Sequence, residues 1–365
     1  MLEFIDQELE ALKKAGLYRE LKVIDRSKII IFCSNDYLGL ANHPKVIKKA
    51  TGALKKFGAG AGASRLISGN TIIHEELEKK LARFKKREAA IVFPTGYMAN
   101  LGTISALTNE KDTIIIDRLN HASIIDACRL TKAKFQVYPH KDMATLEKIL
   151  KRSEIYKKRL IITDSIFSMD GDIAPLPQIV KLAKRYNAIT MIDEAHATGV
   201  LGQNGRGAEE HFGIEGQIDI VMGTLSKAIG SLGGFVAGSQ RLIDYLRNKA
   251  RNFIYTTALS PASCAAAIAA LEIIEAEPKI RQRLWTNVKS LGFKSETPII
   301  PIMIGDTKKT MAISQKLLAR GFFISGIRPP TVPRDQSRLR LTITANHSQE
   351  EIKCLVSLLQ PLIQQ

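Results

Sequence analysis

The sequence is poor in the residues that staple small folds together. Its 365 residues include four cysteines, Cys33, Cys128, Cys264 and Cys354, and one tryptophan. The cysteines are widely spaced and form no CxxC pair. That excludes the common structural zinc pattern and, at this length, a disulfide framework, so four reduced thiols and no metal are expected. No apolar run approaches the ~18–20 residues that a membrane span needs. A basic start followed by an apolar core, the mark of a secretory leader, is also missing, and a cytoplasmic location is the expectation. Acid is the scarcer charge: 36 Asp and Glu stand against 53 Lys and Arg, a net charge of +17. Such an excess favours anionic partners. The basic residues are scattered, however, as in Lys48-Lys49, Lys55-Lys56, Lys85-Lys86-Arg87 and Lys157-Lys158-Arg159. No aromatics interleave them, and no zinc-finger or RNP pattern appears. They read as solvated faces, and the alternative of a basic nucleic-acid-binding protein has no motif behind it.

What is present is a regular alternation. Short apolar runs suited to buried strands occur at 89–93, 113–117, 134–138, 159–165, 188–193, 219–224 and 233–238. Helical patterns such as "MATLEKILKR" and "LPQIVKLAKRYN" lie between many of them. Alternation of this kind predicts an α/β fold, a mostly parallel seven-stranded sheet covered on both faces. Past about residue 274 the pattern changes to strands at 299–305, 322–328 and 338–344, with helices at 308–320 and 348–360. The expected organisation is an N-terminal arm (1–37), a large α/β domain (38–273) and a smaller C-terminal α+β domain (274–365). The opening stretch "MLEFIDQELEALKKAGLYREL" reads as an amphipathic helix, acidic early and basic late, as the helix dipole favours.

Ligands of open α/β sheets bind outside the carboxyl ends of the strands. Five predicted strand ends here carry His, Asp, Ser, Thr or Lys beside glycine. "PTGYMANLG" offers a strand-to-helix turn whose free N–H groups suit a phosphate, although an ordinary connection would look the same. Its spacing is not GxGxxG, so no nicotinamide dinucleotide is signalled. In "MIDEAHATGV", Asp193 ends an apolar strand and His196 follows; Asp193 could equally be a helix cap. In "GTLSKAIGSLGG", Lys227 sits among small and apolar residues, which lower a lysine pKa. Such a lysine is a nucleophile toward carbonyls. Lysine, carboxylate, anion site and the ring of His121 together make the set that pyridoxal phosphate requires.

The stretches "SNDYLGL" (34–40), "SRLISGNTIIHEELEKKLA" (64–82), "DRLNHASIIDA" (117–127), "SIFSMDGDIAPL" (165–176), "DEAHATGVLGQNGRG" (193–207), "GTLSKAIGSLGG" (223–234) and "GIRPPTVPRDQSRLRLTITANHS" (326–348) carry a resemblance. With them the chain resembles the fold-type I pyridoxal-phosphate enzymes, and more narrowly the α-oxoamine synthases. The resemblance implies pyridoxal 5'-phosphate as cofactor, an acyltransferase activity and a homodimer. It implies that Lys227 carries the cofactor and acts as base, that Asp193 pairs with the pyridinium nitrogen, and that His121 stacks on the ring. His196 and Ser168 would hydrogen-bond around the phenolic oxygen. The amides of Gly96 and Tyr97 and the hydroxyl of Thr224 would hold the phosphate, and Thr256 or Thr257 would reach the neighbouring subunit's phosphate site. Arg328 would bind the amino-acid carboxylate with Asn35 nearby, and Arg19 would face the acyl chain's distal carboxylate or its carrier. The run from Arg328 through Pro333, followed by Arg338-Leu339-Arg340, implies L-alanine and a pimeloyl thioester of coenzyme A or acyl-carrier protein as substrates. The sister reaction, glycine with a short acyl thioester, is the alternative. Asp164 stands where members of that family commonly carry glutamate.

Overall fold

The structure is a computed structural model that describes residues 2–25 and 27–364. Met1 and Arg26 of the expected arm and Gln365 of the expected small domain lie outside the described residues. By its internal contacts the chain divides into two compact units. The larger comprises residues 35–168 and 172–283, the smaller residues 1–34, 169–171 and 284–365. Their borders at 34/35 and 283/284 compare with the expected 37/38 and 273/274. In chain order the strands are β1 (Ile30–Ile31), β2 (Ala89–Phe93), β3 (Thr113–Asp117), β4 (Lys134–Tyr138), β5 (Arg159–Asp164), β6 (Ile189–Asp193), β7 (Ile220–Thr224), β8 (Gly234–Gly238), β9 (Ile299–Gly305), β10 (Phe322–Phe323), β11 (Ser325–Ile327) and β12 (Ser337–Thr342).

The larger unit is built on a seven-stranded sheet of order β2-β8-β7-β6-β5-β3-β4. Strand β8 runs antiparallel to both its neighbours; the other pairs are parallel. The runs of Ile and Val form strands because β-branched residues suit a pleated surface buried on both faces. Strands β3, β7 and β8 are buried along their whole length. Only the edge strand β4 is exposed over most of its length, which is where solvent reaches a sheet of this kind. One face packs Ile91, Phe93, Ile114, Ile116, Leu160, Ile162, Met191 and Met222 into a continuous core. Each such side chain contributes about 1.5–3 kcal/mol on burial.

The same registers set out the chemistry. Strands β3, β5, β6 and β7 end in Asp117, Asp164, Asp193 and Thr224. Asp164 lies directly beside Asp193 in the β5–β6 pairing. The apolar body of each strand is thus fixed in the core and its polar tip delivered to the carboxyl edge of the sheet.

In the smaller unit β9, β12 and β11 form an antiparallel sheet, and β1 pairs with β10 in parallel. Two expectations need correction here. The run 322–328 is not one strand: it breaks at buried Ile324, whose carbonyl accepts the Ser314 hydroxyl at 2.6 Å. The opening helix spans only Glu3–Lys14 and buries none of its residues. It stops because Gly16 takes a left-handed conformation (φ 67) and the Leu17 N–H turns back to the Leu12 carbonyl, a glycine ending of the usual kind.

Candidate active site

At the carboxyl edge of the large sheet lies a cavity of about 250 Å³. Its lining includes Gly96, Tyr97, His121, Asp164, Ser168, Asp193, His196, Thr224 and Lys227. These come from five separate segments that the strands bring to one place. Eight of the thirteen residues named from the sequence therefore meet in one cavity: Gly96, Tyr97, His121, Ser168, Asp193, His196, Thr224 and Lys227.

The helix Gly96–Leu107 opens on the cavity. Its cap, Thr95, accepts the Met98 N–H at 3.1 Å. The N–H groups of Gly96 and Tyr97 belong to the first turn, which has no acceptor within its own helix, and the dipole there favours an anion. A side chain at position 96 would crowd the site, since a Cβ would lie 3.2 Å from Met222 Cε and 3.3 Å from Thr224 Oγ1. Across this turn, the Thr224 hydroxyl donates to the Gly233 carbonyl at 2.9 Å and pairs with the Ser226 hydroxyl at 2.7 Å. Two hydroxyls and two free amides form a cradle for a phosphate.

Asp193 is buried, with 4 % of its surface exposed. One carboxylate oxygen accepts Asn100 Nδ2 at 2.8 Å and the other accepts the Ala195 N–H at 2.8 Å. Each oxygen keeps capacity for another donor. Asn100 also donates to the Ser123 hydroxyl at 2.9 Å, and that hydroxyl lies 2.8 Å from His121 Nδ1. The Ser123 N–H donates to the same nitrogen at 3.2 Å, so Nδ1 is an acceptor. The His121 imidazole is held below its ordinary pKa, by burial first, with Asp193 opposing and the Lys227 charge adding to the fall.

Asp164 has its own task. Its Oδ2 accepts the backbone N–H of His121 at 2.7 Å, so the shorter acid fixes the chain that carries the ring. Burial, then the neighbouring Asp193, holds the Asp164 carboxyl well above the usual carboxylate range; the His121 N–H works the other way. Lys227 Nζ lies 2.9 Å from His196 Nε2. On the far side His196 Nδ1 is 2.7 Å from the hydroxyl of fully buried Tyr37, and that hydroxyl reaches Asn35 Oδ1 at 3.3 Å.

The remaining candidates are not among the residues that line this cavity. Asn35 reaches the site through Tyr37. Thr256 is half-buried and Thr257 exposed, with Thr257 bridged to Ser64. Arg19 and Arg328 line a second cavity of about 610 Å³ within the smaller unit; Arg19 donates to the Thr331 hydroxyl at 3.1 Å and Arg328 to the Tyr18 carbonyl at 2.5 Å. Sequence reasoning missed Tyr37, Asn100 and Ser123. Asn100 lies one helical turn past Gly96, a spacing that could have flagged it.

The donor set fits pyridoxal 5'-phosphate: an anion cradle, a buried carboxylate with acceptor capacity, an imidazole with its acceptor nitrogen tied back, and a lysine. Sheet and site together define a fold-type I pyridoxal-phosphate enzyme. The chain belongs to the aminotransferase class I and II family, whose profile matches residues 27–359. It is 50% identical over 372 residues to an 8-amino-7-oxononanoate synthase of Thermoanaerobacter pseudethanolicus, covering 96% of this chain and 94% of the relative. It is 49% identical over 370 residues to 8-amino-7-oxononanoate synthase 1 of Bacillus velezensis, covering 96% and 95%. Among solved structures, a serine palmitoyltransferase variant from S. paucimobilis with bound PLP and myriocin superposes with a TM-score of 0.91 at 33% identity, covering 99% of this chain and 97% of that one. An 8-amino-7-oxononanoate synthase from Francisella tularensis gives 0.80 at 30% identity, covering 93% and 98%.

Proposed function

We propose that this chain is a pyridoxal-phosphate-dependent acyltransferase that condenses L-alanine with a pimeloyl thioester. The products are 8-amino-7-oxononanoate, carbon dioxide and the free thiol carrier, and the reaction belongs to biotin synthesis. The observation that carries the reading is the meeting of Lys227, His196, His121 and buried Asp193 in one cavity beside a helix N-terminus. Relatives near 50% identity over nearly the whole chain bear the name of this synthase.

When bound, the cofactor supplies an electron sink for negative charge at the alanine Cα. Asp193 holds a proton on the ring nitrogen, and Asn100 and the Ala195 N–H keep that carboxylate oriented. His121 covers a ring face. His196 and Ser168 donate or accept at the phenolic oxygen. Gly96, Tyr97 and Thr224 hold the phosphate. Lys227 binds the cofactor at rest and, once alanine is seated, takes the Cα proton on Nζ. A carbon–carbon bond forms from Cα to the thioester carbonyl and the carbon–sulfur bond breaks. The alanine carboxylate then leaves as carbon dioxide, and a proton returns to Cα. Arg328 binds the alanine carboxylate and Arg19 the distal carboxylate of the pimeloyl chain or its carrier. Asn35 orients Tyr37 and, through it, His196.

The enzyme works as a cytoplasmic homodimer, in which Thr256 or Thr257 reaches the partner's phosphate. That neither threonine lines the cavity of its own chain supports this assignment. No helix among the described residues is long and apolar enough to cross a membrane. The deciding experiment is an amino-acid panel run with pimeloyl and acetyl thioesters. Alanine with the pimeloyl thioester is the expected pair; turnover only with glycine and the acetyl thioester would overturn the reading.

A further inference from the structure

His140, which no role above uses, sits on the turn after β4, at the edge of the sheet. Its two ring nitrogens each face a carboxylate: Nδ1 lies 3.0 Å from Asp117 Oδ1 and Nε2 lies 2.9 Å from Asp172 Oδ2. A carboxylate is an acceptor only, and an imidazole that donates at both nitrogens is an imidazolium. The ring also stands edge-on to Phe167, with centroids 4.4 Å apart.

The two carboxylates belong to different loops of the cofactor site. Asp117 ends β3 and organises the turn that leads to His121: its Oδ1 accepts the Leu119 N–H at 2.8 Å and its carbonyl accepts the Asn120 N–H at 3.2 Å. Its Oδ2 accepts the Lys141 N–H at 2.8 Å. Asp172 lies on a hairpin closed by the Ile166–Ile173 bridge and by the Phe167 N–H on the Asp172 carbonyl at 3.1 Å. Ser168 follows Phe167 directly and lines the cavity. Lys141 Nζ, 2.9 Å from Asp172 Oδ2, is a second cation on that hairpin. One imidazolium therefore holds the turn of His121 and the hairpin of Ser168 together, touching the hairpin through both Asp172 and Phe167.

We propose that His140 is a positioning residue of the cofactor site, a cationic clamp that fixes the His121 turn against the Ser168 hairpin. The proposal rests on the pyridoxal-phosphate reading above. Burial lowers the His140 pKa, but the hydrogen bonds and charges of Asp117 and Asp172 together outweigh it and raise the pKa to about 9, which keeps the clamp charged at neutral pH. Charge-assisted bonds to both partners give it stiffness that neutral bonds lack.

Three variants test it. His140→Asn retains a donor near the Nδ1 position and keeps Asp117 while releasing Asp172. His140→Gln does the reverse. Asp172→Asn removes the hairpin's charge at a partly exposed position and leaves the core untouched. Apo protein is titrated with pyridoxal 5'-phosphate, and the visible circular dichroism of the bound cofactor and the apo melting curve are recorded. The clamp predicts a rise of about tenfold or more in the cofactor dissociation constant for each folded variant. It also predicts a weaker visible dichroic band, because the ring is less firmly held. Unchanged affinity and an unchanged band in the folded variants would overturn it, even if the melting temperature fell, since that pattern describes a structural contact only. Should both His140 variants fail to fold, the Asp172→Asn result decides by the same two readouts. Wild-type protein that binds no pyridoxal phosphate overturns the reading of the site and the clamp with it.

Discussion

Asp193 is a buried carboxylate whose two oxygens are each met by one donor, and the Asn100 amide is the one a mutation can remove. Asn100→Ala leaves the acid in place but frees its orientation. We expect kcat/KM to fall about 10–100-fold, with a smaller effect on the melting temperature, measured by steady-state kinetics and thermal unfolding. Lys85 presents the opposite case. It is almost fully buried and holds Glu194 at 2.7 Å and the Thr198 hydroxyl at 2.9 Å. Lys85→Met leaves Glu194 buried without its cation, so urea unfolding should show a loss of about 3–5 kcal/mol. His140 gives a pH signature. Its folded pKa of about 9 lies above the ordinary 6.5, so its contribution to stability is complete below about 6.5 and is lost as pH rises through about 9. The wild-type melting temperature should fall across that upper limb, and His140→Asn should flatten it. Much of this scale was legible in the sequence: Lys227, Asp193 and His196 stand at ends of strands, where polar residues beside glycine are conspicuous. Ser123 and Tyr37 were not legible, and Asn100 only by its place one helical turn past Gly96. Their roles exist only through space, as with Asn100 and Asp193, which lie 93 positions apart.

Among the elements, the approach of β8 to the helix Gly96–Leu107 is the tightest part of the cradle. A Cβ at Gly234 would lie 2.6 Å from both Gly96 Cα and the Thr95 carbonyl oxygen. These are backbone atoms that cannot swing aside. Gly234→Ala should cost about 1–3 kcal/mol by overpacking and weaken cofactor binding. Gly52→Ala is the matched control: it lies within the helix Pro44–Phe57 and its Cβ meets nothing within 4 Å. That change should stabilise by about 0.5–1 kcal/mol and leave cofactor affinity alone; urea unfolding and cofactor titration check both. The buried strands of the large sheet were legible nearly to the residue because strands buried on both faces must be apolar throughout, and the exposed edge strand β4 through its β-formers Phe135, Val137 and Tyr138. The break at Ile324 was not, because it is imposed by Ser314 across a turn and leaves the hydrophobic pattern intact. The end of the opening helix was misread for a related reason: its amphipathic period continues past the glycine that stops it.

For the whole molecule, the net charge of +17 bears on the acyl carrier. Both coenzyme A and an acyl-carrier protein are anionic, but a macromolecular acid is steered more strongly by a positive field. The kcat/KM with the pimeloyl acyl-carrier protein should fall more steeply with added salt than that with pimeloyl coenzyme A. Equal salt dependence would remove any steering role for the charge. The proposed chemistry rests on Lys227 as the residue that holds the cofactor and moves the proton. The most direct test treats the purified protein with borohydride and maps the modified peptide by mass spectrometry, beside turnover of Lys227→Ala. A reduced pyridoxyl group on Lys227 is expected in the wild type, with at least about 10²–10⁴-fold lower turnover in the variant. A cofactor fixed elsewhere, or a colourless Lys227→Ala protein with full turnover, would contradict it.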